Sequence, residues 1–140
     1  MVGDAGSLGA VVIADALADG RAAAESRMVD SCTVSSVERT WNEATASYTD
    51  SLTTIYSGMC EVKSENVEAT NADSQGRFVT VVRRTLKLPV VGSEGVREGH
   101  RVRIDVCVND PGLVGNTYVV GAFTGGSFLT ARRLPITEDQ

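Results

Sequence analysis

A short segment of unbroken alternation constrains the fold more than any other part of this chain. Arg101–Asn109 reads RVRIDVCVN, so that Val102, Ile104, Val106 and Val108 alternate with polar or small residues. Such period-2 alternation is typical of a strand with one buried and one solvated face. Gly, Asn, Asp and Pro stand on both sides of the segment, which favours short strands joined by tight turns.

Extended over the whole chain, the same patterns predict a mainly β fold: a small antiparallel β-barrel with an N-terminal α-helix and a long hairpin loop. We expect one domain over residues 1–140, with the helix at 7–28, the barrel at 31–136 and an acidic tail at 137–140. Loops at 40–50 and 64–76 interrupt the barrel. A break in alternation predicts a bulge near Ser35-Ser36, and Val102, Ile104, Val106 and Val108 are expected to be buried.

The distribution of charge bears on possible partners. The net charge is −5, which argues against general nucleic-acid binding, because that function favours a basic surface. Residues 1–30 hold five acidic and two basic side chains, whereas residues 77–103 hold seven basic and two acidic ones. Two interpretations stay open: a mixed solvated surface and electrostatic complementarity between neighbouring copies of the chain.

Residues that commonly carry catalysis are scarce. His100 is the only histidine, and its position between a glycine and a strand predicts a surface location. Cys32, Cys60 and Cys107 lack the CxxC or Cys/His spacing of a zinc site, and we interpret them as reduced thiols. No nucleophile elbow is present. We therefore expect no enzymatic activity, no cofactor and no metal site.

Two other features each allow two interpretations. Trp41, the only tryptophan, is either a hydrophobic plug over the barrel end or part of a functional loop. Arg83-Arg84 and Arg132-Arg133 lie inside predicted strands, so that one member of each pair faces each side of the sheet. The inward member either forms a salt bridge at the barrel rim or docks onto a partner.

Short motifs from about residue 14 onward carry a family resemblance through their order along the chain. They are an Ala/Arg-rich helix at Ala16–Met28, a Met-Val-Asp-x-Cys entry into the first strand at Met28–Cys32, a hairpin closure at Ile55–Cys60, Leu88-Pro89-Val90, a glycine turn between Val96 and Val102, DPGLVG at Asp110–Gly115 and TARRL at Thr130–Leu134. The last two motifs are the most specific. In this order the chain resembles the head-to-tail stopper, or head-closure, proteins of long-tailed bacteriophages, especially a family common in phages of actinobacteria.

This resemblance implies a structural virion protein, made in the host cytoplasm and located in the neck between capsid and tail. Its copies are expected to form a ring, of six copies or alternatively twelve, between the head-to-tail adaptor on the portal and the tail terminator that docks onto it. Packaged DNA would pass through the channel without sequence-specific binding and be retained by the ring. No membrane is involved.

The resemblance also implies a role for the loop after the first strand, which in such proteins projects toward the channel and retains DNA. It maps here onto the candidate gating loop, which consists of Thr40, Trp41, Asn42, Glu43, Ala44, Thr45, Ala46, Ser47, Tyr48, Thr49 and Asp50. The loop holds two carboxylates and no Lys or Arg, so it is not built to grip phosphates. The candidate inter-subunit contacts are Trp41, Tyr48, Arg83, Arg84, Arg132 and Arg133.

The main alternative is an OB-like or SH3-like small-barrel binding module of cellular origin. That alternative predicts a compact monomer with an aromatic-lined ligand face. Aromatic residues make up 5% of the chain, which is few for base stacking. A small hydrolase, the third possibility, requires a reactive centre that the sequence does not show.

Overall fold

The computed structural model of the chain describes residues 5–70 and 78–139, with side chains described for residues 12–67 and 80–139. The elements, in chain order, are α1 Ala5–Glu25, β1 Asp30–Asn42, β2 Ser47–Thr70, β3 Phe78–Leu88, β4 Arg101–Val106, a 3-10 turn at Pro111–Leu113, β5 Thr117–Val120 and β6 Arg132–Glu138. The prediction of a mainly β fold with an N-terminal helix is confirmed.

The six strands form one antiparallel sheet that closes on itself. Their order is β1-β2-β3-β6-β5-β4, and β4 pairs with β1 to complete the circuit. The longest strand, β2, has two partners, because residues 47–60 pair with β1 and residues 61–70 pair with β3. β2 therefore extends past the closed part of the sheet at both of its ends.

The interior of the closed sheet is packed with aliphatic side chains, two tyrosines and the three cysteines. Burying this apolar surface supplies the main driving force for folding. The cluster comprises Cys32, Val34, Tyr56, Cys60, Leu86, Leu88, Val96, Val102, Ile104, Cys107, Tyr118, Val120, Leu134 and Ile136. All three cysteines are free and buried.

A bulge breaks the alternation of β4. Ser31 of β1 pairs with Val106, whereas the next residue, Cys32, pairs with Ile104, so that Asp105 is an extra residue on β4. The bulge reverses the direction in which the following side chains point.

This reversal divides the four residues that were predicted to be buried. Val102 and Ile104 are fully buried, as expected, but Val106 and Val108 are 49% and 60% exposed. The prediction that Val106 and Val108 are buried is therefore wrong. Cys107, on the predicted outer face, lies in the core instead.

The β1–β2 pair also contains a bulge. The register shifts between Val34 and Ser35, which confirms the position of the bulge predicted near Ser35-Ser36 but not the strand that carries it. The extra residue lies on the other strand, since Val34 pairs with Tyr56 and Ser35 with Thr54, leaving Ile55 without a direct partner.

Both predicted loops prove to be mostly strand. β1 continues to Asn42 and β2 begins at Ser47, so only a four-residue turn remains of the predicted loop 40–50. β2 also continues to Thr70, which contradicts a loop beginning at residue 64; residues 71–76 of that prediction lie outside the described residues. Neither segment has the apolar pattern of a core strand, because these strands protrude from the closed sheet and both faces are solvated.

The helix and the tail differ from their predicted bounds as well. α1 runs over Ala5–Glu25 rather than 7–28, because Ser26 and Arg27 form a turn after its last residue. The predicted acidic tail 137–140 is wrong for its first two residues, since β6 extends to Glu138. Gln140 lies outside the described residues.

The helix contacts the rest of the chain through its C-terminal half. The Arg21 side chain donates a hydrogen bond from Nε to the Leu129 carbonyl at 3.0 Å. A Cβ placed on Gly20 would lie 2.8 Å from the Cγ2 atom of Thr130, so glycine permits a close approach here. Farther toward the N-terminus, Val12 and Ile13 are exposed.

Candidate functional site

The β1–β2 hairpin extends well beyond the closed sheet, and we call this extension the first arm: residues 36–42 paired with residues 47–53. The pairing of β1 with β4 ends at Ser35, so in the described part of the chain the first arm is a ribbon of two strands. Seven residues of strand correspond to a length of about 20 Å. Together, the first arm and the turn at residues 43–46 that joins its strands contain all of the candidate gating residues.

The two faces of the first arm differ in composition. One face carries Val37, Arg39, Trp41, Tyr48, Asp50 and Leu52, and the opposite face carries Ser36, Glu38, Thr40, Asn42, Ser47, Thr49, Ser51 and Thr53. Two-stranded ribbons are marginally stable unless one face is packed. The apolar face nevertheless remains exposed at Trp41, Tyr48 and Leu52, by 50%, 62% and 54%.

An aromatic pair stiffens the end of the apolar face. Trp41 and Tyr48 are directly opposite each other, with ring centroids 4.9 Å apart in an edge-to-face arrangement. The Arg39 guanidinium lies 5.6 Å from the centroid of the Tyr48 ring and forms an ion pair with Asp50 at 3.1 Å. Trp41 is therefore located at the end of the arm and does not plug the barrel.

The turn at the tip is ordered by local hydrogen bonds. The Asn42 side chain accepts a hydrogen bond from the backbone N–H of Ala44 at 2.9 Å, and the hydroxyls of Thr45 and Ser47 are 2.8 Å apart. Ala46 adopts a left-handed conformation with φ of 52°, which costs an alanine more than a glycine. This turn contains neither Gly nor Pro, so the sequence lacks the usual signal for a tight turn between two strands.

An ion pair links the first arm to the closed sheet. Asp50 lies 3.8 Å from an Nη atom of Arg101 on β4. Beside this contact is a shallow groove of about 190 Å³, lined by Thr33, Ser35, Leu52, Arg101, Arg103 and Thr117. The groove connects the apolar face of the arm with the outer surface of the barrel.

The first arginine pair straddles the sheet as predicted. Arg83 is exposed, whereas Arg84 is partly buried with its guanidinium 5.6 Å from the Tyr118 ring centroid. An Nη atom of Arg84 lies 3.4 Å from Glu138, which is the salt bridge at the rim that one of the two interpretations required.

The second arginine pair also straddles the sheet. Its inner member, Arg132, forms no salt bridge with the described residues. Arg132 donates hydrogen bonds to the Ser93 hydroxyl at 3.0 Å and to the Val90 carbonyl at 3.2 Å. Arg133 is exposed. Arg132 is therefore a structural residue that holds the β3–β4 connection, and Arg133 is the member available to a partner.

A second ribbon, which the sequence did not reveal, projects from the other end of β2. We call it the second arm: residues 65–70 paired with residues 78–83. The pairing of β3 with β6 begins only at Arg84. Val81 and Val82 are exposed by 49% and 50%. The alternating apolar residues of Val79–Val82 were visible in the sequence, but nothing indicated that β2 reaches far enough to pair with them.

Three titratable groups of the interior have raised pKa values. The hydrogen bond with Cys32, together with burial, raises the pKa of the Cys60 thiol far above its ordinary value. Burial raises the pKa of Cys107 as well, and it raises the pKa of Tyr56 to about 12. Thiols held in the protonated form are poor nucleophiles.

The described residues contain neither a metal-binding cluster nor a membrane-spanning helix. Residues 5–70 and 78–139 hold no group of three or more His, Cys, Asp or Glu side chains placed to bind a metal ion. In the same residues, no helix is long and apolar enough to cross a membrane.

The protein thus belongs to the mainly β class, as a small closed antiparallel sheet with two protruding two-stranded ribbons. The chain belongs to a family of unknown function (DUF6093), which matches residues 20–137 and so covers the C-terminal end of the helix, the closed sheet and both arms. No curated protein and no solved structure matches it.

Proposed function

We propose that this chain is a structural assembly subunit, specifically a head-to-tail stopper of a tailed bacteriophage. In this proposal its copies form a ring in the neck, between the adaptor on the portal and the tail terminator. The ring retains packaged DNA and offers a docking surface to the tail. Six copies are the expected number, with twelve as the alternative. No catalytic step is part of this function.

The observation that supports the proposal most is the exposed apolar face of the first arm. Exposed apolar side chains that lie together on a folded protein mark an interaction site, as the Trp41–Tyr48 pair does here, and Trp and Tyr are enriched where interfaces contribute most to binding. Trp41, Tyr48 and Leu52 stand on a ribbon that projects from its own barrel, where a neighbouring subunit can cover them. A protruding hairpin with exposed apolar side chains on one face favours a ring subunit over a compact binding module, because a neighbouring subunit can bury that face.

The charge of the first arm is compatible with DNA in a channel. Its only cation is Arg39, and that side chain is paired with Asp50 at 3.1 Å. The opposite face offers hydroxyls, amides and Glu38, so it has no cation to hold a phosphate. DNA can therefore slide along such a surface, and retention must come from obstruction by arms that pack together.

The proposal is tested by shortening the first arm without disturbing the barrel. Arg39 and Asp50 are directly opposite each other, so an Asn-Gly turn can replace residues 40–49 and preserve the strand register. The core cluster lies outside the deleted residues, and we expect the variant to fold. In filled phage heads the variant should fail to retain DNA before tails attach.

A matched control keeps the arm and changes only its polar face. Thr40→Ala and Thr49→Ala together leave Trp41 and Tyr48 in place, and we expect normal DNA retention. Mass spectrometry of purified virions should find the chain in several copies per particle. Normal DNA retention by the shortened variant, or a single copy per virion, contradicts the proposal.

A further inference from the structure

Each arm is a ribbon of two strands and therefore exposes two strand edges, one of them on β2. The edges on β1 and β3 each carry an exposed charge that forms no ion pair with the described residues. In the first arm, residues 36–42 of β1 pair only with β2. In the second arm, residues 78–83 of β3 pair only with β2. Their outward backbone N–H and C=O groups thus have no strand partner in the described part of the chain, and long open edges of this kind are templates for strand addition.

The two edges are located so that they can meet between copies. The arms lie at opposite ends of the same strand, β2, so neither edge can reach the other within one molecule. The first arm of one copy can reach the second arm of the next. Contacts of this head-to-tail type close into rings when the rotation between copies permits it.

The charges along the two edges are complementary. Glu38 is exposed on the edge of the first arm and Arg83 is exposed on the edge of the second, and neither forms an ion pair with the described residues. With Glu38 opposite Arg83, an antiparallel register pairs residues 38–42 with residues 83–79. A parallel register with the same ion pair keeps only three residue pairs within the free edges, so the antiparallel register is favoured.

The same register also matches apolar residues. It places Val82 opposite Arg39, and therefore on the face of the new sheet that carries Trp41 and Tyr48. Val82 is 50% exposed in the single chain. The pairing brings this exposed valine next to the exposed apolar face of the first arm.

We propose that the first arm of one copy pairs edge to edge with the second arm of a second copy, antiparallel, with Glu38 opposite Arg83. This inference rests on the proposed function, in that it specifies how neighbouring subunits of the ring are joined. The joined ribbons form one continuous four-stranded sheet between two barrels. Backbone hydrogen bonds supply affinity, and the Glu38–Arg83 pair sets the register.

A cross-linking experiment tests the register directly. Full-length chains with Glu38→Cys and with Arg83→Cys are mixed and treated with a short thiol-specific cross-linker. The three native cysteines are buried, so the unmodified chain serves as the background control. We expect a covalent dimer that contains one chain of each kind.

The matched control is Ser51→Cys mixed with Arg83→Cys. Ser51 is directly opposite Glu38 on the same face of the first arm, but it lies on β2, which is one strand spacing farther from the proposed partner than β1. Its yield of mixed dimer should be at least about fivefold lower, because neighbouring strands are about 4.8 Å apart.

Charge reversal gives an independent test through sedimentation. Glu38→Arg and Arg83→Glu should each weaken association at least about tenfold, since opposed like charges cost more than 1.4 kcal/mol. The double variant should restore association to within about threefold of the original chain. Rings that form without the mixed cross-link, or double variants that stay dissociated, overturn the edge pairing and leave the proposed function standing. A full-length chain that stays monomeric up to millimolar concentration overturns the edge pairing, whereas the proposed function is overturned by a single copy per virion.

Discussion

Arg132 of β6 donates a hydrogen bond from Nε to the buried hydroxyl of Ser93 at 3.0 Å. The Ser93 hydroxyl in turn donates to the carbonyl of Pro89, and the Arg132 Nη2 atom donates to the carbonyl of Val90. One side chain thereby fixes the connection that carries Val96 into the core.

Replacing Arg132 by methionine should destabilise the protein. The substitution keeps the aliphatic stem but leaves the buried Ser93 hydroxyl with one fewer partner, and we expect a loss of about 1–3 kcal/mol. Arg133→Met is the matched control, because Arg133 is exposed on the same strand, and it should change the free energy of unfolding by less than about 0.5 kcal/mol. Denaturant unfolding measures both. Equal losses would show that the hydrogen bonds to the connection contribute nothing.

The bulge in β4 predicts a sharp difference between two residues of one alternating segment. Ile104→Ala creates a cavity in the core and should cost about 2–5 kcal/mol. Val106→Ala removes a side chain that is 49% exposed and should cost less than about 1 kcal/mol. Equal shifts of the unfolding midpoint for the two variants would mean that Val106 is buried after all and that the bulge at Asp105 is absent.

His100 makes stability depend on pH. Burial, and then the nearby Arg97 charge, lower the pKa of its imidazole, and its Nδ1 atom accepts a hydrogen bond from the Arg97 backbone N–H at 3.0 Å. A lowered pKa in the folded state favours the neutral form. The contribution to stability is thus present above the unfolded value of 6.5 and is lost as the pH falls through the lower folded value. The free energy of unfolding should fall over that window in the native chain, and less steeply in His100→Gln.

Trp41 is the only tryptophan, so its fluorescence reports on the first arm alone. It is 50% exposed, and in the dissociated chain its emission should be red-shifted and open to quenching by iodide. On assembly the emission should shift to the blue, and quenching should decrease. Tyr48→Ala should reduce assembly while leaving the unfolding midpoint nearly unchanged, with Thr49→Ala as the control. Emission that stays the same in the assembled state contradicts a role for the apolar face.

The docking of the helix can be tested at Gly20. Alanine is a better helix former than glycine by about 1 kcal/mol, so Gly20→Ala should stabilise an isolated helix. Here the new Cβ would lie 2.8 Å from the Thr130 Cγ2 atom, and we expect net destabilisation instead. Thr130→Ser removes that methyl group, so the double variant should recover the lost stability. If the double variant does not regain the unfolding midpoint of the native chain, then Gly20 does not pack against Thr130.

The sequence predicted the fold well wherever one residue face is buried. Val102 and Ile104 followed the period of a half-buried strand, and the arginine pairs straddled the sheet as that period requires. The pattern failed after Ile104, because the bulge at Asp105 is maintained by hydrogen bonds with Thr33 and Arg103. Thr33 is distant in sequence, and alternation alone does not contain this information.

The arms were missed for a different reason. Strand prediction depends on burial, and the first arm is a ribbon with both faces in solvent, so Thr40 and Thr49 were interpreted as loop residues. Alternation was nevertheless present, since Arg39 and Trp41 on one strand match Tyr48 and Asp50 on the other. Residues 43–46 contain no Gly or Pro, so the sequence did not mark them as the turn about which the two strands of the hairpin pair.

The shared strand β2 gives the two arms a common mechanical element. Its 24 residues form a covalent tie of about 75 Å when fully extended, from the tip of one arm to the far end of the other. A pulling force on either tip is carried along the peptide backbone of β2, and the hydrogen bonds to β1 along one half of the strand and to β3 along the other resist it in shear. Gly58 and the bulge at Ile55 lie near the middle of β2, where the strand can bend while its backbone still transmits force. A load applied to one end of this molecule is therefore borne at the other.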